Sequence, residues 1–117
     1  MSHYITLREA ATMTTNYLEK REAILDDQYQ GRDILAKHET FDATTVRTIL
    51  DQDGCAGFRV YFGMDTDSKV HVILVGVNEA NEDMLPADMD APNTQIAEKA
   101  MRCPVICAPA SALNTER

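Results

Sequence analysis

The chain has 117 residues, of which 44% are hydrophobic and 26% are charged, and this composition is typical of a globular protein and excludes a wholly disordered one. A formal net charge of −8 opposes binding to nucleic-acid phosphates and to anionic membrane surfaces, so we expect neither nucleic acid nor membrane as a partner. The length suits one core, and we predict a single α+β domain over residues 1–117.

The amino-terminal segment lacks the basic start and the continuous apolar core of a signal peptide, and no apolar run is long enough to span a bilayer. Three cysteines, Cys55, Cys103 and Cys107, are an odd count, which is a poor basis for a disulfide framework. We therefore predict a cytoplasmic protein with reduced thiols.

A first helix is predicted to begin after Thr6, because Thr6 and Glu9 have the spacing of a capping box. Apolar residues then recur at helical spacing from Leu7 to Leu25 and form one stripe. We expect this helix to cover the sheet that follows.

A second, short helix is predicted after Asp42, which would be its N-cap, with Phe41 packing on Val46 in the first turn. Gly54 supplies the signal for its end. The segment before it, residues 26–39, is polar and interrupted by a glycine, and it predicts no regular element.

The stretch from Phe58 to Val77 predicts a β-hairpin, because two runs rich in aromatic and β-branched residues flank a short polar turn. A register that pairs Phe62 with Val70 gathers six apolar side chains on one face, which we expect to be the covered core face: Phe58, Val60, Phe62, Val70, Val72 and Leu74. The second strand is apolar on both faces, so we expect it to be central in a sheet built around the 58–77 hairpin.

The opposite face of the hairpin is the predicted interface, since the chain after Val77 offers little to cover it. The candidate surface or interface residues are Arg59, Tyr61, His71, Ile73 and Val75. An uncovered apolar patch of this kind is uncommon on a monomer, and a two-fold pairing would bury it. The competing expectation is that Cys103 to Cys107 folds back and covers this face.

After the hairpin, residues 78–92 are rich in carboxylates and contain two prolines, which predicts an acidic loop. Asn93 is the predicted cap of a short helix over residues 96–101. Pro104 then places Cys103 in an extended or turn conformation.

Cys103 and Cys107 are the sharpest local feature, two thiols separated by three residues rather than by the two of zinc ribbons and thioredoxin-like sites. Zinc would need further ligands, and the remaining donors are Cys55, His3, His38 and His71. A regulatory disulfide is a second interpretation, and packing of two small buried side chains is the one we expect. We predict no cofactor and no bound metal, with Cys103, Cys107 and His71 as the candidate ligands.

His71 is expected across the hairpin from Tyr61 and beside Arg59, a small polar group that suits proton transfer. The sequence supplies no nucleophile to pair with it, and a hydrogen bond to a neighbour is the ordinary role of a strand histidine. We therefore predict no catalytic residue.

Several segments in the last two-thirds of the chain resemble a family of small hypothetical proteins of Bacteroidetes: Phe41 to Val46, Ile49-Leu50, Gly57 to Gly63, Val72 to Val77, and Cys103 to Cys107. The shared motif is a G-[FI]-R-[VI]-Y-[FY]-G strand with a hydrophobic partner strand and a C-P-x-x-C-like end. The resemblance implies a common design for the strand and for the Cys-Pro segment. It implies no activity, cofactor or catalytic residue.

From these features we expect a non-enzymatic binding or assembly module that forms homo-oligomers through its sheet. The alternative is a small metal- or thiol-dependent protein that uses Cys103, Cys107 and His71. An enzyme of ordinary acid–base type ranks third, and the sequence names no small-molecule ligand.

Overall fold

The computed structural model describes residues 3–91 and 95–115, and within them the fold class is α+β, as predicted. The helices are α1 (Leu7–Lys20) and α2 (Ala43–Leu50), with a short 3-10 helix at Asp27–Tyr29. The strands are β1 (His38–Thr40), β2 (Cys55–Met64), β3 (Val70–Asn78) and β4 (Met101–Cys103). β2 and β3 form an antiparallel hairpin, and β1 pairs with β4 in a second two-stranded sheet.

The chain divides into two compact units. The first unit consists of Met1–His38 and Arg102–Arg117, and the second is Glu39–Met101. The chain passes from one unit to the other within β1 and returns within β4. The prediction of one domain over residues 1–117 stays a prediction.

The first unit is built around α1, which begins where the sequence predicts. Thr6 is its N-cap, and the Thr6 hydroxyl accepts a hydrogen bond of 3.1 Å from the Glu9 N–H, which satisfies one free donor of the first turn. The helix ends at Lys20, so the apolar stripe predicted as far as Leu25 is too long. Ile24 beyond this end is 69% exposed.

Side chains of α1 hold the segment that leads to β1. The Tyr17 hydroxyl donates to the Ala36 carbonyl at 2.5 Å, and the Arg21 guanidinium donates to the Leu35 carbonyl at 2.6 Å. Ala11 and Leu18 of the helix and Ile34 of the segment are buried. Because the segment lacks regular structure, these bonds to side chains stand in for a backbone ladder.

The second unit begins with α2, whose predicted N-cap is also confirmed. The Asp42 carboxylate accepts a 2.7 Å hydrogen bond from the Thr45 N–H, and the hydrogen bonds from Thr45 lower the pKa of Asp42 below the usual aspartate value. α2 packs on the hairpin. The helix over the hairpin is therefore α2, a place that the sequence assigned to α1, which belongs to the first unit.

Gly76 in β3 makes room for this packing. A Cβ atom at this position would lie 2.8 Å from Gln52 Nε2, 3.2 Å from Cys55 Sγ and 3.5 Å from Ile49 Cγ2, so a side chain there would have to move the Gln52 side chain and press on Cys55. Ile49 is buried, with 2% of its surface exposed. The core of the second unit thus centres on the Gly76 end of the hairpin.

The register of the hairpin differs from the predicted one by two residues. Phe62 lies opposite Val72, and Val60 lies opposite Leu74. Because side chains alternate with a period of two, a shift of two residues leaves the membership of each face unchanged. The prediction of the two faces survives the error in register.

The predicted core face is covered only in part, because residues of and after α2 lie against it at Gly76, near the buried Leu74, while its β2 side is exposed. Phe58, Val60 and Phe62 of the predicted core face are 48%, 43% and 76% exposed, and only the β3 side of that face, at Leu74, is buried. On the other face, Val75 is 2% exposed and lies in the core, although it was a candidate interface residue. Each face of the hairpin is therefore buried in part, and the exposed apolar surface is the β2 side of the face that was expected to be covered.

The segment after the hairpin is irregular over residues 79–91, as the predicted acidic loop requires. The helix predicted over residues 96–101 is wrong, because Ala97 pairs with Leu74 as an isolated bridge and Met101 begins β4. Its predicted cap, Asn93, lies outside the described residues. None of the described helices is long and apolar enough to cross a membrane.

Candidate functional site

The outer edge of β3, the side that faces away from β2, is occupied along its length. Leu74 and Ala97 exchange two backbone hydrogen bonds, of 2.7 and 3.0 Å. The Val72 N–H donates to a carboxylate oxygen of Glu39 at 2.8 Å, and residues 82–84 bond the end of the strand. Among the described residues the sheet has only β2 and β3, so the prediction that β3 is a central strand is wrong, but isolated bridges and side-chain bonds protect its outer edge from pairing with another chain.

The outer edge of β2 is free. The N–H and C=O of Leu74 bond Ala97 and so point away from β2. In an antiparallel pair, the N–H and C=O of Val60, which lies opposite Leu74, therefore point away from β3, and the same holds for every second residue of β2. Among the described residues, no backbone group bonds the outward-facing N–H and C=O groups of Phe58, Val60, Phe62 and Met64. We call these four residues the β2 edge.

The side chains of the β2 edge are apolar and exposed, and the strand carries no carboxylate. The one charged side chain of β2, Arg59, lies on the opposite face and binds Asp83 with an N–O distance of 2.6 Å. The β2 edge is thus an uncharged stripe in a chain with 19 acidic residues.

Arg59 and Tyr61, two of the predicted interface residues, are tied to the acidic loop. The Tyr61 hydroxyl donates to the second oxygen of Asp83 at 2.5 Å, while Arg59 bonds both the carboxylate of Asp83 and the side chain of Asn81. A guanidinium and a phenol sharing one carboxylate hold the loop after β3 against this face of the hairpin. No sequence motif predicts that Asp83 is the partner of Arg59 and Tyr61.

His71 does not meet Tyr61, because the two-residue difference in register places His71 opposite Gly63 and Tyr61 opposite Ile73. The proton-transfer pair proposed from the sequence is therefore absent. Ile73 lies between these two polar residues on the same face and is half-buried.

Three carboxylates surround the His71 ring instead. Nε2 lies 2.8 Å from an oxygen of Asp65, and Nδ1 lies 3.3 Å from Glu39 and 3.2 Å from Glu98. Both ring nitrogens are therefore within hydrogen-bond distance of carboxylate oxygens. The Glu39 side chain is 5% exposed and also binds the Val72 N–H. The cluster joins the hairpin turn to β1 and supplies no nucleophile.

Asp65 gives this cluster a testable pH dependence. The hydrogen bond from His71, and then the one from the Lys69 N–H, lower the pKa of Asp65 below its usual value. A carboxyl group of this kind stabilises the fold above its unfolded-state pKa of about 3.9, and the contribution is lost as the pH falls through the lower, folded-state pKa. We expect urea unfolding, followed by circular dichroism, to show a loss of stability between about pH 5 and pH 2 that is smaller in Asp65→Asn.

The matched control for this measurement is Asp53→Asn, an exposed aspartate of the same unit. It should keep the acid-range slope of the wild type. An Asp65→Asn variant with an unchanged slope would contradict the contribution of Asp65.

Cys103 and Cys107 form a disulfide, with Cα atoms 4.6 Å apart, so the prediction of reduced thiols is wrong for this pair. Cys55 is free and half-buried in the second unit. An odd number of cysteines means that at least one thiol is unpaired, but it still permits one disulfide. The prediction was wrong because it treated the odd count as evidence against any disulfide.

His38 completes a cluster with the two cysteines. One ligand atom from each of His38, Cys103 and Cys107 lies within 4.8 Å of the others. His71, the histidine predicted for this role, belongs to the second unit and is not part of the cluster. His38 was among the possible ligands named from the sequence. The pairing of β1 with β4 brings His38 to the cysteines, and the sequence did not predict that pairing.

Comparison with known proteins adds no further assignment. No family model matches the chain, and no curated protein or solved structure matches it. The resemblance to the Bacteroidetes family therefore stays a prediction.

Proposed function

We propose that the protein is a non-enzymatic assembly module that self-associates through the β2 edge. The observation that carries the proposal is the contrast between the two edges of the hairpin. The β3 edge is bonded by Glu39, Ala97 and residues 82–84, whereas the β2 edge has no backbone partner among the described residues. A long, apolar, unpaired edge strand is the surface on which another strand adds by main-chain hydrogen bonds.

The side chains of the edge make a second strand favourable as well as geometrically allowed. Phe62 and Met64 are 76% and 66% exposed, and pairing would bury them together with Phe58 and Val60. Cross-strand aromatic and β-branched pairs each contribute about 0.2–1 kcal/mol beyond alanine. Continuous apolar surface of this kind on an isolated subunit marks an interface.

A second copy of this chain is the occupant we propose, and the β2 edge is a place where charge does not oppose it. Two acidic chains repel each other over most of their surfaces, and β2 has no carboxylate to add to that repulsion. A two-fold axis through Val60 pairs the strands antiparallel and sets Phe58 of each copy against Phe62 of the other. The two hairpins then form one four-stranded sheet in which each β2 is internal.

Sedimentation velocity at micromolar concentration tests the proposal. The wild type should be a dimer, and Met64→Lys should raise the dimer dissociation constant at least about tenfold, which corresponds to about 1.4 kcal/mol, because it places a charge in the paired edge. Met13→Lys in α1 is the matched control, since Met13 is also 66% exposed. It should leave the dimer intact.

Val60→Pro is an independent test of the hydrogen bonds. The Val60 N–H faces outward, so proline at this position removes no bond to β3 and blocks the addition of a strand. The variant should be a folded monomer by circular dichroism. A wild-type monomer at about 100 μM, or a Met64→Lys variant that dimerises as Met13→Lys does, would overturn the proposal.

A further inference from the structure

The cluster of His38, Cys103 and Cys107 belongs to the first unit and plays no part in the proposed assembly. We propose that it is a redox-gated binding site for a thiophilic divalent cation such as Zn²⁺. The disulfide form does not bind the cation, and the reduced form holds it through two thiolates and one imidazole.

The three side chains are brought together by backbone contacts outside the disulfide itself. The Lys37 N–H donates to the Cys103 carbonyl at 3.1 Å, which fixes the residue before His38 against the residue that carries the first sulfur. On the far side, the Ala108 N–H donates to His38 Nε2 at 3.3 Å. The cluster therefore keeps its neighbours when the sulfur–sulfur bond is broken.

The contact from Ala108 also sets the chemistry of the imidazole. His38 Nε2 accepts this hydrogen bond through its lone pair, so that nitrogen is directed at the residue after Cys107. Neutral imidazole with a free lone pair is the form that ligates metals. The bond from Ala108 would be exchanged for the bond to the cation.

The distances suit a tetrahedral site. Zinc–sulfur bonds of about 2.3 Å and zinc–nitrogen bonds of about 2.0–2.1 Å place neighbouring ligand atoms roughly 3.5–3.8 Å apart. The ligand atoms of the cluster lie within 4.8 Å of one another, so side-chain adjustments of about 1 Å suffice. Three protein ligands leave the fourth position to water, and the two thiolates select a soft cation over Ca²⁺ or Mg²⁺.

Opening the site requires a dithiol as reductant, and the exposures indicate where it reacts. Cys107 is exposed and Cys103 is 3% exposed, so a dithiol thiolate attacks the Cys107 sulfur and Cys103 leaves as a thiolate. The second thiol of the reductant then attacks the reductant sulfur that is bonded to Cys107. Cys107 leaves as a thiolate, and the reductant becomes a cyclic disulfide. Two electrons pass to the protein, and binding the cation displaces the two thiol protons.

Cobalt titration of the full chain tests the inference. The protein is reduced with dithiothreitol and then desalted without oxygen, because dithiothreitol itself binds metal ions. The number of free thiols per chain should rise from one, that of Cys55, to three. Reduced protein should bind one Co²⁺ with the visible bands of a tetrahedral thiolate site, and Zn²⁺ should displace it. Oxidised protein should show neither band.

Variants separate this site from chance binding by thiols. Cys103→Ser and Cys107→Ser should each weaken the thiolate-to-cobalt band and binding, and His38→Gln should raise the cobalt dissociation constant at least about tenfold. Cys55→Ser and His3→Gln are the matched controls and should bind as the wild type does. The inference is overturned if the disulfide resists reduction, if reduced protein binds no Co²⁺, if oxidised protein binds it equally, or if His38→Gln binds unchanged.

Discussion

Val75→Asp should unfold the second unit. Val75 is 2% exposed, and Arg59, the residue opposite it on β2, is already bound to Asp83, so a carboxylate at position 75 would be buried and would compete for a guanidinium that has a partner. Burying an unpaired charge is among the few single changes that cost more than about 3 kcal/mol. Thermal melts followed by far-ultraviolet circular dichroism should show loss of the cooperative transition or a greatly lowered midpoint.

Val60→Asp is the matched control, because it makes the same change on the neighbouring strand at a residue that is 43% exposed. Its effect on the free energy of unfolding should stay below about 1 kcal/mol, within the range of strand propensities. Melts at submicromolar protein remove any contribution from association. Equal destabilisation by the two variants would contradict the assignment of the buried and exposed faces.

The features that the sequence predicts well are those set by neighbouring residues. Thr6 and Asp42 act as N-caps because the donor that each satisfies lies three residues away along the chain. The hairpin of β2 and β3 follows from the composition of two adjacent runs and a short turn. In each case the partners are close in sequence, so the pattern carries enough information.

The choice between the faces of the hairpin depends on contacts that the sequence does not announce. Six apolar residues made one face look like the core, while Arg59, Tyr61 and His71 made the other look like surface. Carboxylates from segments outside the hairpin, Asp83, Glu39 and Glu98, contact all three of these polar groups, and Val75 on the same face is buried. Meanwhile α2 packs around Gly76 and leaves the β2 edge exposed.

The candidate sites show the same division. The spacing of Cys103 and Cys107 singles them out as a pair, although the sequence favoured a packing role for them, and the choice of His38 over His71 depends on strand pairing between segments more than 60 residues apart. Which edge of the hairpin is free also depends on distant residues, since Glu39 and Ala97 bond the outer edge of β3 and nothing comparable among the described residues bonds β2. Periodicity within a strand does not distinguish an edge from a centre.

Arg102→Met should strongly destabilise the first unit. Arg102 in β4 is buried, with 9% of its surface exposed, and its guanidinium donates to the carbonyls of Asp33 and Ile34 at 2.8 and 2.9 Å. Methionine fills a similar length with apolar atoms but donates no hydrogen bond, so the buried carbonyl of Ile34 loses its charged donor. Hydrogen bonds to charged groups contribute about 1.5–3 kcal/mol each, and we expect a loss near 3 kcal/mol.

Arg32→Met separates the buried contacts of Arg102 from the general effect of removing a positive charge from an acidic chain. Arg32 is exposed, its bond to the Gln28 carbonyl is 3.5 Å long, and its guanidinium lies 5.8 Å from the centre of the Tyr29 ring. Contacts of that kind contribute about 0.5–1 kcal/mol, so urea unfolding should place the midpoint of Arg32→Met near that of the wild type. If both variants shifted the midpoint equally, net charge rather than the bonds to Asp33 and Ile34 would account for the loss.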